Sequence, residues 1–148
     1  KRPGSDVTVI ATAGSEAKRA FLRQQGVAHV FDSRSLAFEA EIMQLTAGRG
    51  VDMVLNSLAG DAITASVGCL SAKGRFLGIG KRDIWTAERF AAVRPEGRYF
   101  AIDLNAQRLS DPERTVALFG QVVSDLANGR IRPLPLRAFP LRCATAAP

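Results

Sequence analysis

The chain has 148 residues, 47% of them hydrophobic and 23% charged, which suits one domain with a core of its own and excludes a disordered tail. Its formal net charge of +6 fits an anionic partner, such as a nucleotide phosphate or an acidic carrier protein; the basic residues are too scattered, and too free of interleaved aromatics, for nucleic acid. No apolar run approaches the roughly 18 residues of a membrane span and no signal peptide opens the chain, so the cytoplasm is the expected location, while Cys69, Cys143 and the lone His29 make no metal or redox spacing.

Lys1 to Asp6 is polar and reads as a connection. Val7-Thr8-Val9-Ile10-Ala11-Thr12 is β-branched and apolar on both faces, as a central parallel strand is. Ala13-Gly14 closes it, Ser15 can cap a helix over Glu16 to Gln25, and Gly26 can end that helix. Val27 to Phe31 is a second strand, followed by the polar loop Asp32-Ser33-Arg34-Ser35, with Ser35 a candidate cap. Phe38, Ile42 and Leu45 mark a helix face that runs to about Thr46. A third strand, Val51 to Leu55, ends in Asn56-Ser57, and a helix over Asp61 to Leu70 follows.

Ser71-Ala72-Lys73-Gly74 then turns into the run Arg75-Phe76-Leu77-Gly78-Ile79-Gly80-Lys81-Arg82-Asp83. This is the pattern of a buried parallel strand whose carboxyl end opens onto a ligand crevice. A short helix over Trp85 to Ala92 stops before Pro95, and Arg98 to Ile102 is a fifth strand ending in Asp103. Ser110 or Asp111 caps the last helix, with Pro112 in its first turn, a stripe of Leu118, Val122 and Leu126, and Gly129 at its end. The tail from Ile131, with Pro133, Pro135 and Pro140, suits extended or edge pieces. Strands alternating with helices through short loops predict an α/β fold, a Rossmann-like parallel sheet with helices on both faces.

Ligands in such sheets bind beyond the carboxyl ends of the strands. Those ends carry Thr12 to Ser15, Asp32 to Arg34, Asn56 to Ala59, Gly78 to Lys81, and Asp103. After the first strand, an enzyme that selects NAD usually carries an acid for the ribose 2′-hydroxyl. Thr12, Ser15 and Lys18 stand there instead, with Ser33 and Arg34 in the next loop, a set suited to a 2′-phosphate. Lys18 reads equally as a solvated helix face and Arg34 as a surface charge. Gly78 and Gly80 let a flat ring approach the backbone around Ile79. Lys81 and Asp103 read either as a proton-donating pair beside that ring or as a structural ion pair.

Ala11-Thr12-Ala13-Gly14-Ser15 with Lys18-Arg19, His29 to Arg34, Gly48 to Asp52, Val54 to Gly60 and Gly74 to Asp83 together resemble the enoyl reductase domain of modular polyketide synthases. The motifs run in that family's order over about residues 7 to 142. The family belongs to the zinc-free medium-chain reductases. The resemblance implies transfer of an NADPH hydride to an enoyl thioester held on an acyl carrier protein, with protonation of the α-carbon. It implies that Ser15, Lys18 and Arg34 lie around the 2′-phosphate. Asn56-Ser57-Leu58 and Gly78-Ile79-Gly80 would lie along the ribose and nicotinamide, with Lys81 and Asp103 assisting protonation and no metal.

The family's first strand and glycine-rich phosphate turn have no counterpart before Val7, and the substrate domain has none either. The expectation is a partial NADPH-binding domain over residues 1–148, inactive alone. Another segment of the synthase would supply the missing central strand. The competing expectations are a non-catalytic structural or docking remnant within a megasynthase and a stand-alone nucleotide-binding regulator.

Overall fold

The computed structural model describes residues 7–136 and 138; the expected connection over 1–6 and the end of the proline-rich tail lie outside the described residues. Residues 131–136 form neither helix nor strand. Strands and helices alternate as the pattern predicts: β1 (Ile10–Ala13), α1 (Glu16–Gln24), β2 (His29–Asp32), α2 (Phe38–Leu45), β3 (Val51–Asn56), α3 (Asp61–Gly68), β4 (Leu70–Gly78), α4 (Ala87–Val93) and β5 (Arg98–Ala101). Two more helices, α5 (Leu104–Ser110) and α6 (Pro112–Ala127), make a second compact unit that starts at Asp103.

In the first unit the strands form two parallel sheets, β1-β2 and β3-β4-β5. The expected single parallel sheet is therefore divided in two, with β1 and β3 at edges of different sheets. The facing edges enclose a slot of about 1090 Å³. Ile10 to Thr12 line one wall, Met53 to Leu55 the other, with Phe38, Ile42, Ser66 and Cys69 also lining it. Leu55 is 66% exposed there although it lies in a strand apolar enough for a sheet interior.

The two sheets are joined through their helices. Phe38 and Ile42 of α2 meet Ala65 of α3 and Cys69 in one buried cluster, against which Ile10, Phe31, Val51 and Leu58 pack. A second cluster lies under β4, where Phe76, 1% exposed, packs with Ile63, Val67, Leu70, Trp85 and Phe90. The Phe76 ring stacks on Tyr99 at 5.7 Å and meets Phe90 at 6.2 Å. Arg89 covers Trp85 with its guanidinium 4.2 Å from the ring centre.

Three local expectations are corrected. The turn over Ser71 to Gly74 lies inside β4: Leu70 pairs with Val51 and Arg75 with Met53, so the small residues bulge out of register between them. Ser35 does not cap α2, which starts after Ala37 without a side-chain cap; its hydroxyl accepts the Ala37 amide at 3.2 Å instead. Trp85 precedes α4, and Thr86 is the cap that accepts the Arg89 amide at 3.2 Å.

Candidate functional site

The carboxyl ends of β1 and β2 carry the first half of the site. Ser15 caps α1 and its hydroxyl accepts the Lys18 amide at 3.4 Å, leaving the exposed Lys18 side chain one turn into the helix. Parallel pairing sets Thr12 beside Phe31 and Ala13 beside Asp32, which brings Ser33 and Arg34 next to Gly14. A β-carbon placed on Gly14 would stand 3.1 Å from Arg34 Nε, 3.3 Å from Arg34 Cγ and 3.4 Å from Ser33 Oγ. Arg34 therefore lies across the bare Gly14 backbone. Ser33 and Arg34 thus meet Gly14 next to the Ser15 cap, with Thr12 in β1 and Lys18 in the first turn of α1.

Beneath that group runs a set of contacts that sequence reasoning missed. The Arg19 guanidinium donates hydrogen bonds to Glu16 Oε2 at 3.0 Å and to the Ala13 carbonyl at 2.9 Å, and forms an ion pair with Asp32 Oδ2 at 3.2 Å. Asp32 Oδ1 accepts the Arg34 amide at 2.9 Å and so shapes the turn that carries Arg34. Arg23 also binds Glu16, at 2.7 Å, and the Arg23 and Arg19 guanidinium groups hold the Glu16 carboxyl below the usual carboxylate range.

The second half of the site lies at the ends of β3 and β4. Asn56 is 5% exposed and its side chain is turned inward. Its Nδ2 donates to the Leu58 carbonyl at 3.0 Å, while its Oδ1 accepts the Leu58 amide at 3.3 Å and the Ser66 hydroxyl at 3.4 Å. Asn56 thus shapes the Ser57-Leu58 turn. Gly80 lies against that turn, since a β-carbon on it would meet the Leu58 carbonyl at 3.4 Å. A β-carbon on Gly78 would meet the Tyr99 hydroxyl at 3.4 Å, and burial pushes the Tyr99 phenol up.

Asp83, at φ 56°, accepts the Gly60 amide at 3.0 Å and ties the loop after β4 to the loop after β3. Ile79 and Lys81 are exposed on the segment between these ties. Asp103 opens the second unit, where its carboxylate caps α5 by accepting the Asn105 amide at 2.9 Å and the Ala106 amide at 3.2 Å. A cap signal was present in the sequence, since Asp103 is followed by the helix formers Leu104, Ala106 and Gln107.

No described helix is long and apolar enough to cross a membrane. Among the described residues no three His, Cys, Asp or Glu side chains cluster to hold a metal ion. Comparison with known proteins gives the geometry its setting. The family model for zinc-binding dehydrogenases matches residues 4–95. A phenolphthiocerol/phthiocerol polyketide synthase of Mycobacterium tuberculosis is 40% identical over 141 residues, which are 94% of this chain and 6% of that protein. The chain therefore spans a small part of that curated relative.

The crystal structure of CurK enoyl reductase superposes with a TM-score of 0.84 at 41% identity, covering 95% of this chain and 42% of that one. The nucleotide-binding subdomain of the enoylreductase domain of PpsC from Mycobacterium tuberculosis superposes with a TM-score of 0.73 at 40% identity, covering 86% of this chain and 72% of that one. Family match, identity and shared fold agree: the chain belongs to the zinc-binding dehydrogenase family, among the enoyl reductases of polyketide synthases, and carries the nucleotide-binding part of their fold.

Proposed function

We propose that the chain is the later part of the NADPH-binding domain of an enoyl reductase working inside a cytoplasmic polyketide synthase. NADPH, when bound, supplies the hydride that reduces the double bond of an enoyl thioester carried on an acyl carrier protein. Ser15, Lys18 and Arg34, with Thr12 and Ser33 beside them, hold the 2′-phosphate. Asn56 sets the Ser57-Leu58 turn along the ribose, and Gly78, Ile79 and Gly80 offer a backbone floor to the nicotinamide. Lys81 and Asp103 assist protonation of the α-carbon. The slot between β1 and β3 takes a strand from elsewhere in the synthase, followed by a glycine-rich turn for the pyrophosphate.

The observation that carries this reading is Arg34 lying across Gly14 beside Ser15, cationic where an acid would select NADH. The slot supports the partial-domain reading, because two strand edges with apolar side chains between them leave backbone groups that a central strand would pair. The test is calorimetric titration of the chain with NADPH and with NADH. Tighter binding of NADPH, weakened about tenfold by Lys18→Ala or Arg34→Ala, is expected from loss of one exposed charged contact to phosphate. Equal affinity for the two cofactors, unchanged by either substitution, would refute the assignment.

A further inference from the structure

Lys18 and Arg19 are neighbours in sequence, yet their surroundings differ. Lys18 is exposed, whereas the Arg19 side chain is only 16% exposed and its guanidinium is engaged by the Ala13 carbonyl, Glu16 and Asp32. Arg19 is therefore committed to the protein. The acid it meets at the end of β2 is the one whose other oxygen accepts the Arg34 amide. Asp32 accordingly has two opposed effects. It builds the turn that presents Arg34, and it puts a carboxylate into the neighbourhood where Lys18 and Arg34 gather positive charge.

From this geometry we propose that Arg19 is a positioning and specificity residue: it cancels the charge of Asp32, so that the turn bearing Arg34 can accept a 2′-phosphorylated nucleotide. The inference rests on the cofactor reading above. The hydrogen bond to the Ala13 carbonyl fixes the guanidinium at the end of β1, and the contact with Asp32 spans β1 to β2, so the neutralising charge is held in place. Loss of Arg19 leaves the Asp32 carboxylate uncancelled beside the proposed 2′-phosphate position. A nucleotide without the 2′-phosphate meets no such repulsion.

The probes are adenosine 2′,5′-bisphosphate and 5′-AMP, which differ by the 2′-phosphate alone and involve only the adenosine side of the cofactor. Their affinities are measured by calorimetry on the full chain and on Arg19→Gln, Asp32→Asn and the double variant. Arg19→Gln is expected to weaken the bisphosphate about tenfold and leave 5′-AMP within twofold. Asp32→Asn keeps an oxygen that accepts the Arg34 amide while removing the charge. Added to Arg19→Gln, it is expected to restore bisphosphate affinity to within threefold of the unsubstituted chain.

A purely structural Arg19 would lower both affinities together, and the double variant would bind no better than Arg19→Gln; either result overturns the proposal. A chain that shows no preference for the bisphosphate, and is indifferent to Lys18→Ala, overturns the cofactor reading and this inference with it. A chain that prefers the bisphosphate through Lys18 but ignores Arg19→Gln sinks this inference alone.

Discussion

Gly14→Ala separates the proposed cofactor site from the stability of the fold. The added β-carbon would stand 3.1 Å from Arg34 Nε, 3.3 Å from Arg34 Cγ and 3.4 Å from Ser33 Oγ. All three atoms belong to side chains, and Arg34 is exposed, so the collision is relieved by swinging the guanidinium away. Gly14 has no positive φ, so its backbone accepts alanine, and the smaller conformational freedom of the unfolded chain adds about 0.4–1 kcal/mol of stability. The affected quantity is the Arg34 contact with a phosphate. A hydrogen bond to a charged group contributes about 1.5–3 kcal/mol, and solvent exposure reduces that to about 1–2 kcal/mol.

The expectation is NADPH affinity about five- to thirtyfold weaker, NADH affinity unchanged, and a urea midpoint equal to or above that of the unsubstituted chain. Calorimetry and urea unfolding on one preparation give both numbers. Unchanged NADPH binding would refute the placement of Arg34 at the phosphate. A lowered urea midpoint would refute the argument that the side chain alone gives way.

Two further predictions concern the core beneath the crevice. Phe76→Ala removes a buried ring that contacts both Phe90 and Tyr99. Truncating a buried Phe to Ala costs about 3–5 kcal/mol, lost ring contacts included, so urea unfolding should show a loss of about 3–5 kcal/mol; a loss below about 2 kcal/mol would contradict this packing. Burial, with Glu39 adding to it, pushes the Cys69 thiol up to about 11. Thiolate is therefore scarce at pH 8, and iodoacetamide should spare Cys69 in the native chain and label it once urea unfolds the protein, as peptide mass analysis would show.

The strand and helix sequence was legible because each apolar run keeps one period. Legibility fails where one residue satisfies two demands. Val7 to Thr12 reads as strand throughout, yet pairing begins only at Ile10, opposite His29. Asn56 reads as a ligand contact, being polar at a strand end, and the same buried amide also bonds Leu58 and Ser66. Asp103 reads as half of a chemical pair, and the same carboxylate caps a helix that the hydrophobic pattern did not disclose. Arg19 carries no signal of its own in the sequence beyond its place in the motif Lys18-Arg19. Only the parallel pairing of Ala13 with Asp32 reveals the acid that it meets.

The slot between β1 and β3 has a consequence for handling the chain by itself. Internal strands are normally shielded from other molecules by their neighbours, whereas here two strands of interior character turn open rows of amides and carbonyls toward one another. Such an opening is a template for any extended apolar peptide, including the β-branched segment near residue 7 of another copy. A guest strand would be gripped from both sides, with a hydrogen-bond row on each. Cross-β association that grows with concentration, and that a short soluble strand peptide suppresses, is what this architecture invites.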